Sequence, residues 1–109
     1  MKVFIPFKER FKEDMLQDKK TCTSCTKKYG MPGDTFEIFG AKFYIYFLIL
    51  IPLRVVAADF YKAEGFQSPQ EFIKTWCTIH PVKDYDPEQK VYVHEFKRIK
   101  EGEQDANNI

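Results

Sequence analysis

Net charge is almost absent from this sequence. Its 17 lysine and arginine residues are balanced by 16 aspartate and glutamate residues, which leaves a formal charge of +1. Binding of nucleic acid or an anionic membrane through the overall field requires a larger positive charge, so any such binding must depend on a local patch. Basic residues flank the motif described below, with Lys8, Arg10 and Lys12 before it and Lys27 and Lys28 after it. A solvated helix face and loop would explain the same charges.

Long apolar runs are also lacking. The most apolar stretch, residues 43–53, is about half as long as the roughly 20 residues that a membrane-spanning helix needs. We therefore expect no membrane association and interpret this stretch as a buried strand. No signal peptide is evident at residues 1–6, and the three cysteines are an odd number. These features favour a cytoplasmic location without disulfides.

Residues with metal-binding or catalytic potential are few. Cys22 and Cys25 have the spacing of a metal knuckle, but no second pair of cysteines or histidines lies at zinc-site spacing. Residues three apart in a strand also point to opposite faces, so we interpret both cysteines as packing residues and predict no metal or cofactor. His80 and His94 are not paired with a nucleophile, and we interpret them as core or surface residues.

Aromatic residues, in contrast, are abundant. They make up 17% of the chain, and 11 of them are phenylalanines, which supply large apolar areas in few positions. A chain of 109 residues with this content fits one compact core. We predict a single domain over residues 1–99, followed by a disordered tail over residues 100–109 that lacks apolar content.

Hydrophobic periodicity and turn residues predict the order of the elements. The Ser68-Pro69-Gln70-Glu71 sequence provides an N-cap serine, a first-turn proline and a capping-box glutamate, so a helix begins there and ends at residues 79–81. The other predicted elements are a strand over 2–6, a helix of about three turns from 7 to 16, a strand over 21–25, a hairpin about Gly40-Ala41, a long strand from 42 to 58, a helical turn over 59–65 and a closing strand over 90–99.

The long strand is apolar at both odd and even positions. Alternation puts the odd-numbered residues of 43–51 on one face and the even-numbered residues of 44–50 on the other, so we predict a central strand covered on both sides. Pro52 predicts a bulge or bend that lets the chain curve. With no βαβ alternation, these elements predict an α+β domain with a curled, mostly antiparallel sheet.

The strongest chemical lead is Lys19-Lys20-Thr21-Cys22-Thr23, where a charged helical segment gives way to a strand. A lysine in a partly apolar pocket can act as a base toward a neighbouring hydroxyl, and a nearby carboxylate can move a proton. Lys20 and Thr23 diverge in an ideal strand, so this chemistry requires a turn or bulge after Lys20.

Several motifs in this order resemble the ASCH domains, small relatives of the RNA-binding PUA-like barrels. The segment of residues 18–23 is similar to the family's Gly-Lys-Lys-Thr-x-Thr signature, with Asp18 in place of glycine. The resemblance covers roughly residues 3–98 and includes a Gly-Asp turn with its following strand (33–40), a segment at 63–72 and the end strand (91–96). It implies a PUA-like (ASCH) curled, mostly antiparallel β-barrel with flanking helices.

The resemblance also implies a function. The family is proposed to bind RNA or nucleotides in a cleft between barrel and helices, and its small bacterial members include N4-acetylcytidine amidohydrolases. By analogy, Lys20 would activate Thr23 for attack on an amide carbonyl, and Glu64 would assist proton transfer. The family often has arginine where this chain has Cys25, which removes a guanidinium suited to clamping phosphate.

We therefore predict a protein that binds RNA or a modified nucleoside in a cleft lined by Lys20, Thr23 and Glu64. Hydrolysis of an N4-acyl cytidine amide and recognition of a peptide in the same groove are the alternatives, and the sequence leaves enzymatic activity open. Oligomeric state is also open, with a monomer as the expectation. Further predicted ligand contacts are Thr21, a stacking Tyr29 or Tyr61, and phosphate-binding Lys19, Lys27 and Lys28.

Overall fold

A computed structural model of the chain describes residues 1–100. The predicted disordered tail therefore lies outside the described residues, except for Lys100. A 3₁₀ turn over Glu9–Phe11 leads directly into the first helix. The elements that follow are α1 (Lys12–Leu16), β1 (Cys22–Cys25), β2 (Thr35–Ile38), β3 (Ala41–Pro52), α2 (Leu53–Asp59), α3 (Pro69–Ile79) and β4 (Lys90–Arg98).

The four strands form one antiparallel sheet in the order β1-β4-β3-β2. The last strand within residues 1–100, β4, thus lies in the interior of the sheet, next to β3, and β1 forms an edge. The sheet curls into a half-barrel with helices beside it, which confirms the predicted α+β class. None of the helices within residues 1–100 has the length and hydropathy that a membrane span requires.

A β-bulge in β3 determines which side chains reach the core. Ile45 pairs with Phe96 and Phe47 pairs with Glu95, so Tyr46 is an extra residue between two ladder positions. A bulge of this kind interrupts the alternation of side chains and bends the strand. The prediction that the odd-numbered residues of β3 share one face is therefore wrong. The side chains of Ile45 and Phe47 lie on opposite faces of the sheet, because directly paired residues share a face and Phe96 and Glu95 are neighbours in β4.

The outer part of β3 is less covered than its apolar sequence predicts. Tyr46, Phe47 and Leu50 are 42%, 41% and 46% exposed. The short strand β2 pairs only with residues 41–44 of β3, so no strand within residues 1–100 pairs with residues 46–52 on this side. The prediction of a strand covered on both faces therefore does not hold for this part.

Pro52 ends β3, and the predicted bulge at this position lies instead at Tyr46. The chain continues as α2 from Leu53, so the prediction of a strand through Ala58 is wrong. Leu53 and Val56 are fully buried, three positions apart on one helical face. Their apolar and β-branched side chains extend the strand-like composition into a helix, which is why composition alone gave the wrong assignment.

The N-terminal segment is also less regular than predicted. The strand over residues 2–6 reduces to a single bridge between Lys2 and Thr35, and the helix over 7–16 is a 3₁₀ turn followed by the five-residue α1. Pro6 has no backbone N–H to donate, which limits pairing in this segment. Its apolar positions are nevertheless used as predicted, since Phe11 and Met15 are buried.

The turns lie at or next to their predicted positions. The hairpin between β2 and β3 turns at Phe39 and Gly40, one residue earlier than predicted, since Ala41 already pairs with Ile38. The φ angles of 56° and 75° at Phe39 and Gly40 are the left-handed pair of a two-residue turn. Ser68 caps α3 by accepting a hydrogen bond from the Glu71 N–H at 3.1 Å. The closing strand β4 lies within the predicted range.

Candidate functional site

A cleft of about 380 Å³ lies between the N-terminal segment, β1 and α3. Its walls are largely aromatic, and its lining also includes hydroxyl residues together with Pro6, Lys8, Cys25, Ile79 and His80. The aromatic residues are Phe7, Phe11, Tyr29, Phe66, Phe72 and Trp76, and the hydroxyl residues are Thr23, Ser24, Thr26 and Thr75. Lys20 and Glu64 also line this cleft, so all three residues predicted to be catalytic border one solvent-reachable space.

Lys20 and Glu64 form a buried ion pair. Lys20 Nζ lies 3.0 Å from Glu64 Oε1, and the two residues are only 2% and 4% exposed. Main-chain hydrogen bonds bring the two segments together, since the Thr21 N–H donates to the Ala63 carbonyl at 2.6 Å. The ion pair thus joins the start of β1 to the turns that follow α2.

The remaining surroundings of Lys20 suit a charged ammonium group. Its Nζ also donates to the backbone carbonyl of Glu64 at 3.0 Å and lies 4.6 Å from the centre of the Phe11 ring. A carboxylate, a carbonyl and an aromatic face all stabilise a cation. Gly65 makes this approach possible, because its φ is +100° and an added Cβ would lie 3.3 Å from Lys20 Cβ.

The hydroxyl bonded to this pair belongs to Ser24. Its Oγ donates to Glu64 Oε2 at 2.5 Å. Thr23, which was predicted to be the nucleophile, lies one position earlier in β1, where alternation turns its side chain to the other face of the strand. The Thr23 hydroxyl instead contacts the Cys25 thiol. Because β1 is an edge strand, both hydroxyls can still border the cleft.

The surroundings of the two cysteines of β1 favour the thiol over the thiolate. Burial, followed by the nearby Glu64 carboxylate, raises the pKa of the Cys25 thiol to about 12 and that of Cys22 well above its usual value. The thiolate is the form that binds metals and attacks disulfides, and both residues are therefore held as thiols. No three histidine, cysteine, aspartate or glutamate side chains converge on a possible metal position anywhere in residues 1–100.

His94 fixes the loop that carries Tyr29. Its Nε2 accepts a hydrogen bond from the Tyr29 N–H at 3.0 Å, and its Nδ1 lies 3.4 Å from the Thr23 carbonyl, to which it donates. This arrangement requires a neutral ring, and burial lowers the pKa of His94 below its usual value. His94 is thus a core residue that holds the aromatic wall of the cleft in place.

The other histidine belongs to the cleft itself. His80 stacks on Trp76 with ring centroids 4.0 Å apart, and both rings line the cleft. The i, i+4 spacing of the two residues at the end of α3 is the sequence signal that could have indicated this pair. No sequence signal indicated Ser24, because the motif resemblance assigned the reacting hydroxyl to the adjacent Thr23.

Several predicted ligand contacts lie elsewhere. Lys19, Lys27 and Lys28 are exposed and do not line the cleft. Tyr61 is also outside it, with Lys62 Nζ 6.0 Å from its ring centre. Thr21 borders a second cleft on the other side of Lys20. Of the additional predicted contacts, Tyr29 alone lines the aromatic cleft.

A curled antiparallel half-barrel with helices beside it, and a cleft at its β1 edge, is an ASCH-like fold. Solved structures that share it include the hypothetical protein PH0355, with 18% identity, a TM-score of 0.69 and coverage of 91% of this chain and 100% of that one. An ASCH domain from Lactobacillus crispatus has 11% identity, a TM-score of 0.63 and coverage of 89% and 77%. Protein EF3133 from Enterococcus faecalis, of the family DUF984, has 16% identity, a TM-score of 0.62 and coverage of 89% and 72%.

Sequence comparison adds nothing to this likeness, since no family model and no curated protein matches the chain. Local geometry agrees with the motif resemblance. Asp18, which stands where the ASCH signature has glycine, has a φ of 60°, and aspartate is one of the few other residues that tolerate this region. Gly33 of the Gly-Asp turn has a φ of 98°, and Asp34 accepts a hydrogen bond from the Met31 N–H at 2.8 Å.

Proposed function

We propose that the aromatic cleft binds the base of a cytidine-type nucleoside, either within RNA or as a modified free nucleoside. The observation that carries this proposal is the combination of aromatic walls with one buried carboxylate on the cleft lining. Unstacked bases are recognised by stacking on aromatic rings together with hydrogen bonds to their edges. The ASCH-like fold supports the same class of ligand.

The dimensions of the cleft suit one small ligand. A volume of about 380 Å³ lies near the lower end of the roughly 300–1,000 Å³ range of small-molecule sites. The stacked Trp76 and His80 rings on one side and Tyr29 on another offer flat surfaces to a base. Stacking of a base on an aromatic side chain contributes about 1–3 kcal/mol.

Glu64 supplies the base-specific contact. Its carboxylate accepts hydrogen bonds from Lys20, Ser24 and the Cys22 thiol, and because a carboxylate offers roughly four acceptor positions, one is left for a ligand. A carboxylate is the preferred acceptor for the exocyclic N4 group of cytosine. Uracil has an acceptor at the corresponding position, so a carboxylate acceptor on the cleft lining discriminates against it.

Calorimetric titration with cytidine, N4-acetylcytidine and uridine tests this proposal. We expect the cytidine compounds to bind and uridine to bind roughly 5- to 150-fold more weakly, because an unmatched polar edge costs about 1–3 kcal/mol. Trp76→Leu should weaken both cytidine compounds, whereas Tyr61→Leu, outside the cleft, should not. Equal binding of uridine would contradict the role of Glu64. Absence of binding by every nucleoside and by RNA would contradict the proposal and favour a peptide ligand.

Amide hydrolysis is a second candidate, favoured by the hydrogen bond from Ser24 to Glu64. In this chemistry Glu64 takes the hydroxyl proton as the serine oxygen bonds to the acyl carbon. The carbon–nitrogen bond then breaks, the proton passes to the departing N4 amine, and water cleaves the acyl-serine ester to release acetate. Lys20 keeps Glu64 in position through the ion pair. Release of cytidine and acetate from N4-acetylcytidine, measured at high protein concentration, tests this chemistry, and its absence would leave binding alone.

A further inference from the structure

Thr75 is the most buried of the serine and threonine residues that line the aromatic cleft. It lies on α3 and is only 6% exposed. The residues of α3 that line the cleft have the spacing of a single helical face, and they are Phe72, Thr75, Trp76, Ile79 and His80. Thr75 thus adds a hydroxyl group to a wall that is otherwise formed by rings and one aliphatic side chain.

The Thr75 hydroxyl makes no hydrogen bond within residues 1–100. A threonine in a helix can donate to the carbonyl four residues earlier, and Thr78 of the same helix does so, to Lys74 at 3.0 Å. In this part of the chain, every side-chain nitrogen or oxygen that solvent cannot reach has a hydrogen-bond partner. The unpaired hydroxyl of Thr75 must therefore reach the open space of the cleft.

The stability of the empty protein gives no reason for a threonine at this position. A polar group in a buried residue loses contact with water, and without a hydrogen bond in the protein this loss is not compensated. Valine has nearly the same shape as threonine and carries no polar group. A ligand in the cleft can supply the missing partner, and only threonine or serine at this position could use it.

We propose that Thr75 is a specificity residue that donates a hydrogen bond to N3 of the bound cytosine. The inference rests on the proposed function, in which Glu64 accepts a hydrogen bond from the N4 group. N3 is the acceptor next to N4 on the Watson–Crick edge, so it needs a donor beside the carboxylate. Glu64 reaches the cleft from the turns that follow α2, and Thr75 reaches it from α3. A site with both contacts rejects bases that lack either group, because a polar side chain would then stay unpaired.

Titration with cytidine and with 3-deazacytidine, in which a C–H group replaces N3, tests this contact. The unmodified protein should bind 3-deazacytidine about 2- to 12-fold more weakly than cytidine, which corresponds to one neutral hydrogen bond. Thr75→Val should weaken cytidine binding by a similar factor and leave 3-deazacytidine binding nearly unchanged. Thr75→Ser keeps the hydroxyl and should retain the preference for cytidine. The matched control Thr78→Val removes a hydroxyl from an exposed position of α3 outside the cleft and should change neither affinity.

Thermal unfolding of the same variants separates a ligand contact from a structural role. Thr75→Val should melt at the same temperature as the unmodified protein or at a higher one, because it removes a hydroxyl that has no partner in the protein. A clearly lower melting temperature would overturn the inference. It would also be overturned if Thr75→Val weakened both nucleosides equally or weakened neither.

Zebularine, a cytidine analogue without the N4 amino group, separates a failure of this inference from a failure of the proposed function. The ratio of cytidine to zebularine affinity reports on Glu64 and should be the same in Thr75→Val as in the unmodified protein. If zebularine and cytidine bind the unmodified protein equally well, the Glu64 contact is wrong, whereas the Thr75 contact is still decided by 3-deazacytidine. If no nucleoside binds, the proposed function fails and this inference fails with it.

Discussion

Ser24→Ala tests which hydroxyl of β1 belongs to the buried ion pair. The substitution removes the Oγ that donates to Glu64 Oε2 at 2.5 Å and leaves that oxygen in a residue that is only 4% exposed. A hydrogen bond to a charged group contributes about 1.5–3 kcal/mol. Because Ser24 itself is only half-buried, water can partly replace it, and we expect a loss of about 1.5–2 kcal/mol in the free energy of unfolding. For a domain of this size the melting temperature should fall by roughly 10 °C.

Thr23→Val is the matched control. It removes a hydroxyl from the neighbouring position while keeping a β-branched side chain that suits a strand. The Thr23 hydroxyl interacts with the Cys25 thiol, which is a weak hydrogen-bonding group. We therefore expect its removal to cost less than about 1 kcal/mol. Ser24→Thr, which retains a hydroxyl, should recover part of the stability that Ser24→Ala removes.

Urea denaturation of the three variants measures these costs, and nucleoside titration shows their effect on the cleft. We expect Ser24→Ala to weaken cytidine binding, and to abolish any amide hydrolysis, more than Thr23→Val does. A larger loss of stability and of binding in Thr23→Val would refute the assignment of Ser24. It would restore the arrangement that the motif resemblance implied, with Thr23 as the reacting hydroxyl.

Three further predictions concern the surrounding structure. Lys20→Met should lower the free energy of unfolding, measured by urea denaturation, by about 3–5 kcal/mol, because it leaves the Glu64 carboxylate buried without a counter-charge. The double variant Lys20→Met/Glu64→Gln should recover much of this loss. If its loss instead equals the sum of the losses of the two single variants, Lys20 and Glu64 are not coupled. The pKa of His94 is lower in the folded state than in the unfolded state. The contribution of His94 to the free energy of unfolding should therefore be fully present above about pH 6.5, decrease as the pH falls below that value, and become constant below the folded-state pKa. A pH-stability profile of His94→Gln that kept this fall would assign it to another group. Ser68→Ala should cost about 1 kcal/mol in thermal unfolding and Ser68→Gly only a few tenths; equal costs would contradict side-chain capping.

Elements set by local chemistry could be predicted from the sequence. The α3 N-terminus is determined by Ser68 and Glu71, which hydrogen-bond with residues of their own turn, and the β2–β3 hairpin needs Gly40 in a left-handed conformation. These signals lie within a few residues of the structure that they determine. Their neighbours in space do not have to be known.

Elements set by tertiary pairing could not be predicted in the same way. The bulge at Tyr46 exists because β3 pairs with β4, and nothing in an unbroken apolar run marks the extra residue. The helix α2 follows Pro52 without a composition change, since Leu53 and Val56 would suit a buried strand equally well. In both cases the deciding partner is distant in the chain.

The candidate site also has one part that could be predicted from the sequence and one part that depends on tertiary pairing. The motif resemblance selected Lys20 and Glu64, which the structure brings within 3.0 Å, yet it could not distinguish Thr23 from Ser24 as their hydroxyl partner. The orientation of β1 decides that question, and it depends on the hydrogen bonds that tie residue 21 to Ala63 and to β4. A register shift of one residue would exchange the two hydroxyls.

The buried ion pair is the strongest reason to regard this cleft as functional. Burying an ammonium and a carboxylate costs several kcal/mol per ion, and apolar residues of similar volume often give equal or greater stability. Lys20 and Glu64 lie among phenylalanines that could fill the same space, so stability does not explain them. Because both residues border a solvent-reachable cleft and Glu64 also accepts a hydrogen bond from Ser24, the charges are placed where a ligand can contact them. The apolar double variant Lys20→Met/Glu64→Leu should therefore match the stability of the unmodified protein within about 1–2 kcal/mol and lose cytidine binding. Full cytidine affinity in this variant would show that the charges serve only the fold.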